Sequence, residues 1–70
     1  MNQVNTYITK REQEILRLVA YEYSSKEIAN QLFISMNTVL THRQNLMLKL
    51  NVKNTAGMVR RGFESGILSV

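Results

Sequence analysis

One helix-start signal occurs twice near the front of this chain, and its spacing leaves little choice of fold. Thr9 is followed three residues later by Glu12, and Ser24 in the same way by Glu27. In such a pair the hydroxyl accepts from the backbone N–H of the third helical residue, while the carboxylate returns to the N–H of the capping residue. Ser35 offers a third start, and Asn54 or Thr55 a fourth. Four starts within 70 residues permit only short helices joined by tight connections. The chain has no Pro and only three Gly, which favours helix throughout.

The apolar residues fall into step with these starts. Ile15, Leu16 and Val19 recur at helical spacing with Leu18 beside them, predicting a helix from about Lys10 to Tyr21. Ile28, Ala29, Leu32 and Phe33 form the expected buried stripe of a short helix over 25–33. In a longer third helix, over 36–50, Val39, Leu46 and Leu50 share one side. A fourth, over about 55–65, is expected to turn Ala56, Val59 and Phe63 inward and to stop at Gly66, a residue suited to the left-handed conformation after a helix. Leu16, Val19, Ile28, Leu32, Val39, Leu46 and Leu50 are the expected core. Only Ile34 and Ser35 separate the second and third helices, so the chain turns sharply there. A short helix, a tight turn and a longer helix with a more polar outside are the signature of a helix-turn-helix. The predicted fold is all-α, a four-helix bundle containing a helix-turn-helix, with residues 1–8 as a short polar leader and 9–68 as one domain.

Composition removes several function classes. Without Cys there is no disulfide framework and no thiolate metal site. His42 is the sole histidine and has no second ligand at metal spacing, so it reads as a packed residue and no metal is expected. The hydroxyl residues have no paired base, and no Gly-rich phosphate loop appears, so neither enzyme activity nor a cofactor is expected. The opening residues do not resemble a signal peptide and no run approaches membrane-spanning length, so the expected location is the cytoplasm. The net charge of +4 is substantial for so small a surface and attracts polyanions, nucleic acid above all.

On the third helix, Asn37, Thr41, Gln44 and Leu48 lie opposite the core direction, with Leu40 and Asn45 beside them. Asn and Gln side chains hydrogen-bond adenine bidentately, Thr offers a hydroxyl and a methyl, and Leu40 can touch a thymine methyl. The same face would also serve as a plain solvated surface, although Leu40 and Leu48 are poorly suited to that. Lys26, Arg43, Lys49 and Lys53 are the candidate phosphate ligands, helped by the N-terminus of the third helix.

Four stretches in order, Thr9-Lys10-Arg11-Glu12, Ser25-Lys26-Glu27-Ile28-Ala29, Ile34 through His42, and Lys49 through Asn54, resemble the LuxR-type helix-turn-helix domain of quorum-sensing regulators and of NarL/FixJ-group response regulators. Region 4 of sigma factors shares the first three stretches, but the fourth and its helix are LuxR-type. The resemblance implies a bacterial transcription regulator whose third helix enters the major groove of double-stranded DNA. It implies base contacts at Leu40, Thr41 and Gln44, and phosphate contacts at Thr38 and its polar neighbours, Asn37 and Asn45 among them. It further implies a homodimer on DNA paired through the last helix, where Met58, Gly62 and Ser65 are the expected interface if Val59 and Phe63 turn inward. A contact with RNA polymerase is a further expected partnership.

Three residues depart from the family pattern. Leu40 stands where Lys is frequent, Leu48 where a charge is usual, and Glu22 where a Gly commonly follows the first helix. The two leucines keep a second class open, a protein-interaction module on the same fold. RNA recognition is disfavoured because the exposed face of the third helix has no stacking aromatic.

Overall fold

The structure is a computed structural model that describes residues 7–69. Within them the elements run α1 (Lys10–Ala20), α2 (Ser25–Leu32), α3 (Met36–Leu50) and α4 (Thr55–Glu64), with no strand among the described residues. Residues 1–6 of the expected leader lie outside the described residues. Helix α3 packs against each of the other three.

All four starts form as the residues dictate. Thr9 and Ser24 build reciprocal capping boxes with Glu12 and Glu27. Ser35 Oγ accepts from Thr38 N at 3.0 Å, and Asn54 Oδ1 accepts from Gly57 N at 2.9 Å. The stops follow a second rule that is nearly silent in the sequence. Glu22, Phe33 and Asn51 each take a positive φ, of 72°, 58° and 58°. In each case the next N–H reaches back five residues: Tyr23 to the Leu18 carbonyl, Ile34 to that of Ala29, and Val52 to that of Met47. Three helices thus close with a left-handed residue and a Schellman-type bond, a place Gly normally fills. Of the three occupants only Asn51 is a residue that tolerates this conformation well.

The core consists of Ile15, Leu16 and Val19 from α1, Ile28 and Ala29 from α2, Val39, Leu46 and Leu50 from α3, Met58 from α4, and Leu68 from the C-terminal segment. Leu32 is half-buried against it. Three inward assignments require correction. Phe33 is 93% exposed, because its left-handed backbone swings the side chain off the α2 stripe and Ile34 turns back against the core instead. Phe63 is exposed, as is Ala56, while Val59 is half-buried. Helix α4 is thus rotated from the expected orientation, with Met58 and Gly62 facing inward. The cause is Leu68. After Gly66, at φ 83°, the chain folds back, Leu68 N donates to the Gly62 carbonyl at 2.9 Å, and the leucine side chain occupies the space beside the missing Gly62 side chain.

Candidate nucleic-acid interface

Helix α3 presents two faces of different chemistry. Val39, Leu46 and Leu50 are fully buried, and they hold the helix by its inner side along its length. On the outside Asn37, Thr38, Leu40, Thr41, Gln44, Asn45 and Leu48 are all exposed. Leu40 is open at 44% and Leu48 at 74%, so the apolar groups expected on this face are there. The turn Phe33-Ile34-Ser35 fixes α2 across the start of α3. That is the helix-turn-helix arrangement, which leaves the first turns of its second helix standing clear of the body.

Ser35 organises the start of α3. Its hydroxyl accepts from Thr38 N and lies 2.8 Å from Thr38 Oγ1. The first turn of α3 carries no acidic residue, so the partial positive charge of the helix N-terminus is not neutralised locally. Such an end attracts an anion where cations stand near.

The expected phosphate ligands separate into groups. Lys26, at the start of α2, and Lys53, after α3, are exposed. Arg43 is half-buried and its Nη2 donates to Thr55 Oγ1 at 2.8 Å, linking α3 to the first turn of α4. Lys49 requires correction. Its ammonium donates to both Glu12 carboxylate oxygens, at 2.8 and 3.0 Å, and to the Tyr7 carbonyl at 3.1 Å. Three donors meet three acceptors, so Lys49 is committed to the fold and leaves nothing for a phosphate.

Glu12 therefore does two jobs, capping α1 through Thr9 and holding Lys49 across 37 positions of sequence. It is the one buried charged residue among those described, at 3% exposure. Burial pushes its carboxyl pKa up, but the Lys49 ammonium and the Thr9 N–H outweigh that and leave the carboxyl below its ordinary value. Sequence reading found the cap and missed the ion pair, since no local spacing links the two residues.

The expected pairing patch also changes. Met58 is fully buried and Gly62 lies against Leu16 and Leu68, so neither is available to a second copy; of the three only Ser65 is exposed. The outward side of α4 instead carries Ala56, Arg60 and Phe63, with Val59 at its edge. His42 is half-buried and its Nδ1 has no hydrogen-bond partner among the described residues. No group of three metal-ligating side chains occurs among the described residues. Nor is any described helix long and apolar enough to cross a membrane.

Comparison with known proteins leads to one family. The family model described as bacterial regulatory proteins, luxR family (GerE), matches residues 6–61. The transcriptional regulatory protein MctR of Rhizobium johnstonii is 45% identical over 62 residues, covering 89% of this chain and 29% of MctR. The oxygen regulatory protein NreC of Staphylococcus carnosus is 43% identical over 61 residues, covering 87% of this chain and 28% of NreC. This chain thus spans less than a third of the length of either relative. Among solved structures, the transcription factor GerE superposes with a TM-score of 0.86 at 37% identity, over 93% of this chain and 97% of GerE. VqmA of Vibrio cholera, solved as a ligand and DNA complex, superposes with a TM-score of 0.84 at 26% identity, over 100% of this chain and 31% of VqmA. The order of caps, the tight turn before α3 and the match over most of its length establish that this chain belongs to the luxR family of bacterial regulatory proteins, as a LuxR-type helix-turn-helix DNA-binding domain.

Proposed function

We propose that residues 9–68 read a specific double-stranded DNA sequence for transcription control, with α3 in the major groove. One observation carries the reading: a helix buried on one side by Val39, Leu46 and Leu50 shows the other side, with Asn37, Leu40, Thr41 and Gln44, to solvent. Leu40, Thr41 and Gln44 contact bases. Lys26, Asn37, Thr38, Arg43, Asn45 and Lys53 contact the sugar-phosphate backbone. That VqmA, on 31% of which this chain superposes, was solved as a DNA complex supports the choice of partner.

Pairing of two copies on DNA runs through α4, on the side bearing Ala56, Val59 and Phe63. Contact with RNA polymerase and residence in the cytoplasm belong to the same proposal. Free in solution the chain is monomeric, because one short helix face buries too little surface to hold a dimer. Two half-sites on one duplex raise the effective concentration enough for pairing.

The test is salt-dependent binding to duplex DNA. With Lys26, Arg43 and Lys53 as the cations at phosphates, log affinity falls against log salt with a slope of about −2.7 per chain. Gln44→Ala loses about 1–3 kcal/mol on the selected site and barely changes binding to random duplex. A slope near zero with a folded chain refutes DNA binding and favours the protein-interaction module suggested by Leu40 and Leu48.

A further inference from the structure

Met36 and Leu40 stand one helical turn apart at the start of α3, and both are large, apolar and open to solvent, at 47% and 44%. On an ideal helix they point about 40° apart, and Gln44 continues the same row about 40° beyond Leu40. The fold has no use for either side chain on the outside. The inner side of α3 is filled by Val39, Leu46 and Leu50, and the helix start is already capped by Ser35. The first two turns of a recognition helix are the part that reaches base edges.

What an apolar ridge can recognise there is limited. Guanine presents two acceptors to the major groove and cytosine an amino donor, and an aliphatic side chain pressed on either leaves a polar group unpaired. Thymine alone presents a methyl group. We infer that Met36 and Leu40 form a thymine-reading ridge, so that each half-site carries A·T pairs with their methyl groups toward α3 at the positions those two side chains meet. Gln44, next in the row, takes an adjacent adenine through its amide, which makes the half-site rich in A·T pairs rather than guanine-centred. This inference rests on the DNA-binding reading above. It adds Met36 to the base-reading set and assigns a base to the apolar residues.

The experiment is selection by the 70-residue chain from a random duplex pool, followed by binding to the selected duplex in which single thymines are replaced by uracil. The expected result is enrichment of A·T pairs at the ridge positions and about a fourfold loss of affinity for each methyl removed there. Leu40→Ala abolishes the sensitivity to uracil at one position and Met36→Ala at the other, while the preference due to Gln44 persists. The uracil comparison needs no variant, so it stands even if a substitution harms folding. Equal binding to thymine and uracil duplexes, or selection of G·C pairs at the ridge positions, overturns the inference while leaving sequence-specific binding intact. Enrichment of no sequence at all refutes the DNA-reading function itself, and the ridge with it.

Discussion

Gly62→Ala reverses sign according to which way α4 faces. In the interior of an exposed helix this change stabilises by about 1 kcal/mol, since alanine is the better helix former. Here a Cβ added at Gly62 would lie 2.8 Å from Leu68 Cδ1, 3.1 Å from Leu68 Cγ and 3.1 Å from Leu16 Cδ2. Carbon atoms prefer about 3.5–4.0 Å. Leu16 is fully buried and has nowhere to retreat. Rotation of one Leu68 methyl relieves the closest approach but not the one at Cγ, so the whole side chain must move out of a nearly closed site. Forcing an extra carbon into a packed core costs about 1–3 kcal/mol. Set against the helix gain, the net is a destabilisation of about 1 kcal/mol, which lowers Tm by about 4–8 °C in a domain of this size. Thermal unfolding followed by circular dichroism measures it. In a Leu68→Ala background both Leu68 contacts are gone and only the 3.1 Å approach to Leu16 Cδ2 remains, so Gly62→Ala costs less there than in the native chain, a coupling that a double-mutant cycle isolates. A rise in Tm from Gly62→Ala in the otherwise native chain would refute the reasoning and return Gly62 to the surface.

Lys49→Met strands the Glu12 carboxylate in the interior and costs about 1–3 kcal/mol in urea unfolding, discounted because the lysine side chain is 34% exposed. The salt slope of DNA binding stays unchanged by it; a slope reduced by about one unit would make Lys49 a phosphate ligand after all. The depressed Glu12 pKa means that the unfolded chain binds the proton more readily, so its contribution to stability is full above the ordinary Glu value of about 4.3 and is lost as pH falls below it. Glu12→Gln flattens that part of the stability profile, and an unaltered acid limb would argue against the pair. Glu22→Gly relieves a left-handed residue at φ 72° and stabilises by about 0.5–1 kcal/mol, seen as a higher urea midpoint. No gain there would mean the turn holds Glu22 without strain.

Helix starts, helix lengths and the tight turn before α3 were legible because each depends on residues within one turn of one another. The Thr9–Glu12 and Ser24–Glu27 boxes require no knowledge of the rest of the chain. The exposed row Leu40, Thr41 and Gln44 followed from α3 having a single strong apolar side, since Val39, Leu46 and Leu50 leave its rotation no freedom. Helix α4 carries a marker that points the wrong way. Ala56, Val59 and Phe63 fall within about 60° of one another, with only Met58 opposite, so helical spacing favoured Phe63 for the inside. The closing segment decided otherwise, because Leu68 packs closely only where a neighbouring side chain is missing, and Gly62 supplies that place. Phe33 was misread for a related reason: helical periodicity carried one residue too far ignores the left-handed turn that ends α2. Sequence by itself determined which segments are helical and which side of α3 faces out, because those rest on local hydrogen bonds and a clear apolar stripe. The tertiary structure alone decided the rotation of α4 and the partner of Lys49, because both depend on residues that meet only after the chain has folded back on itself.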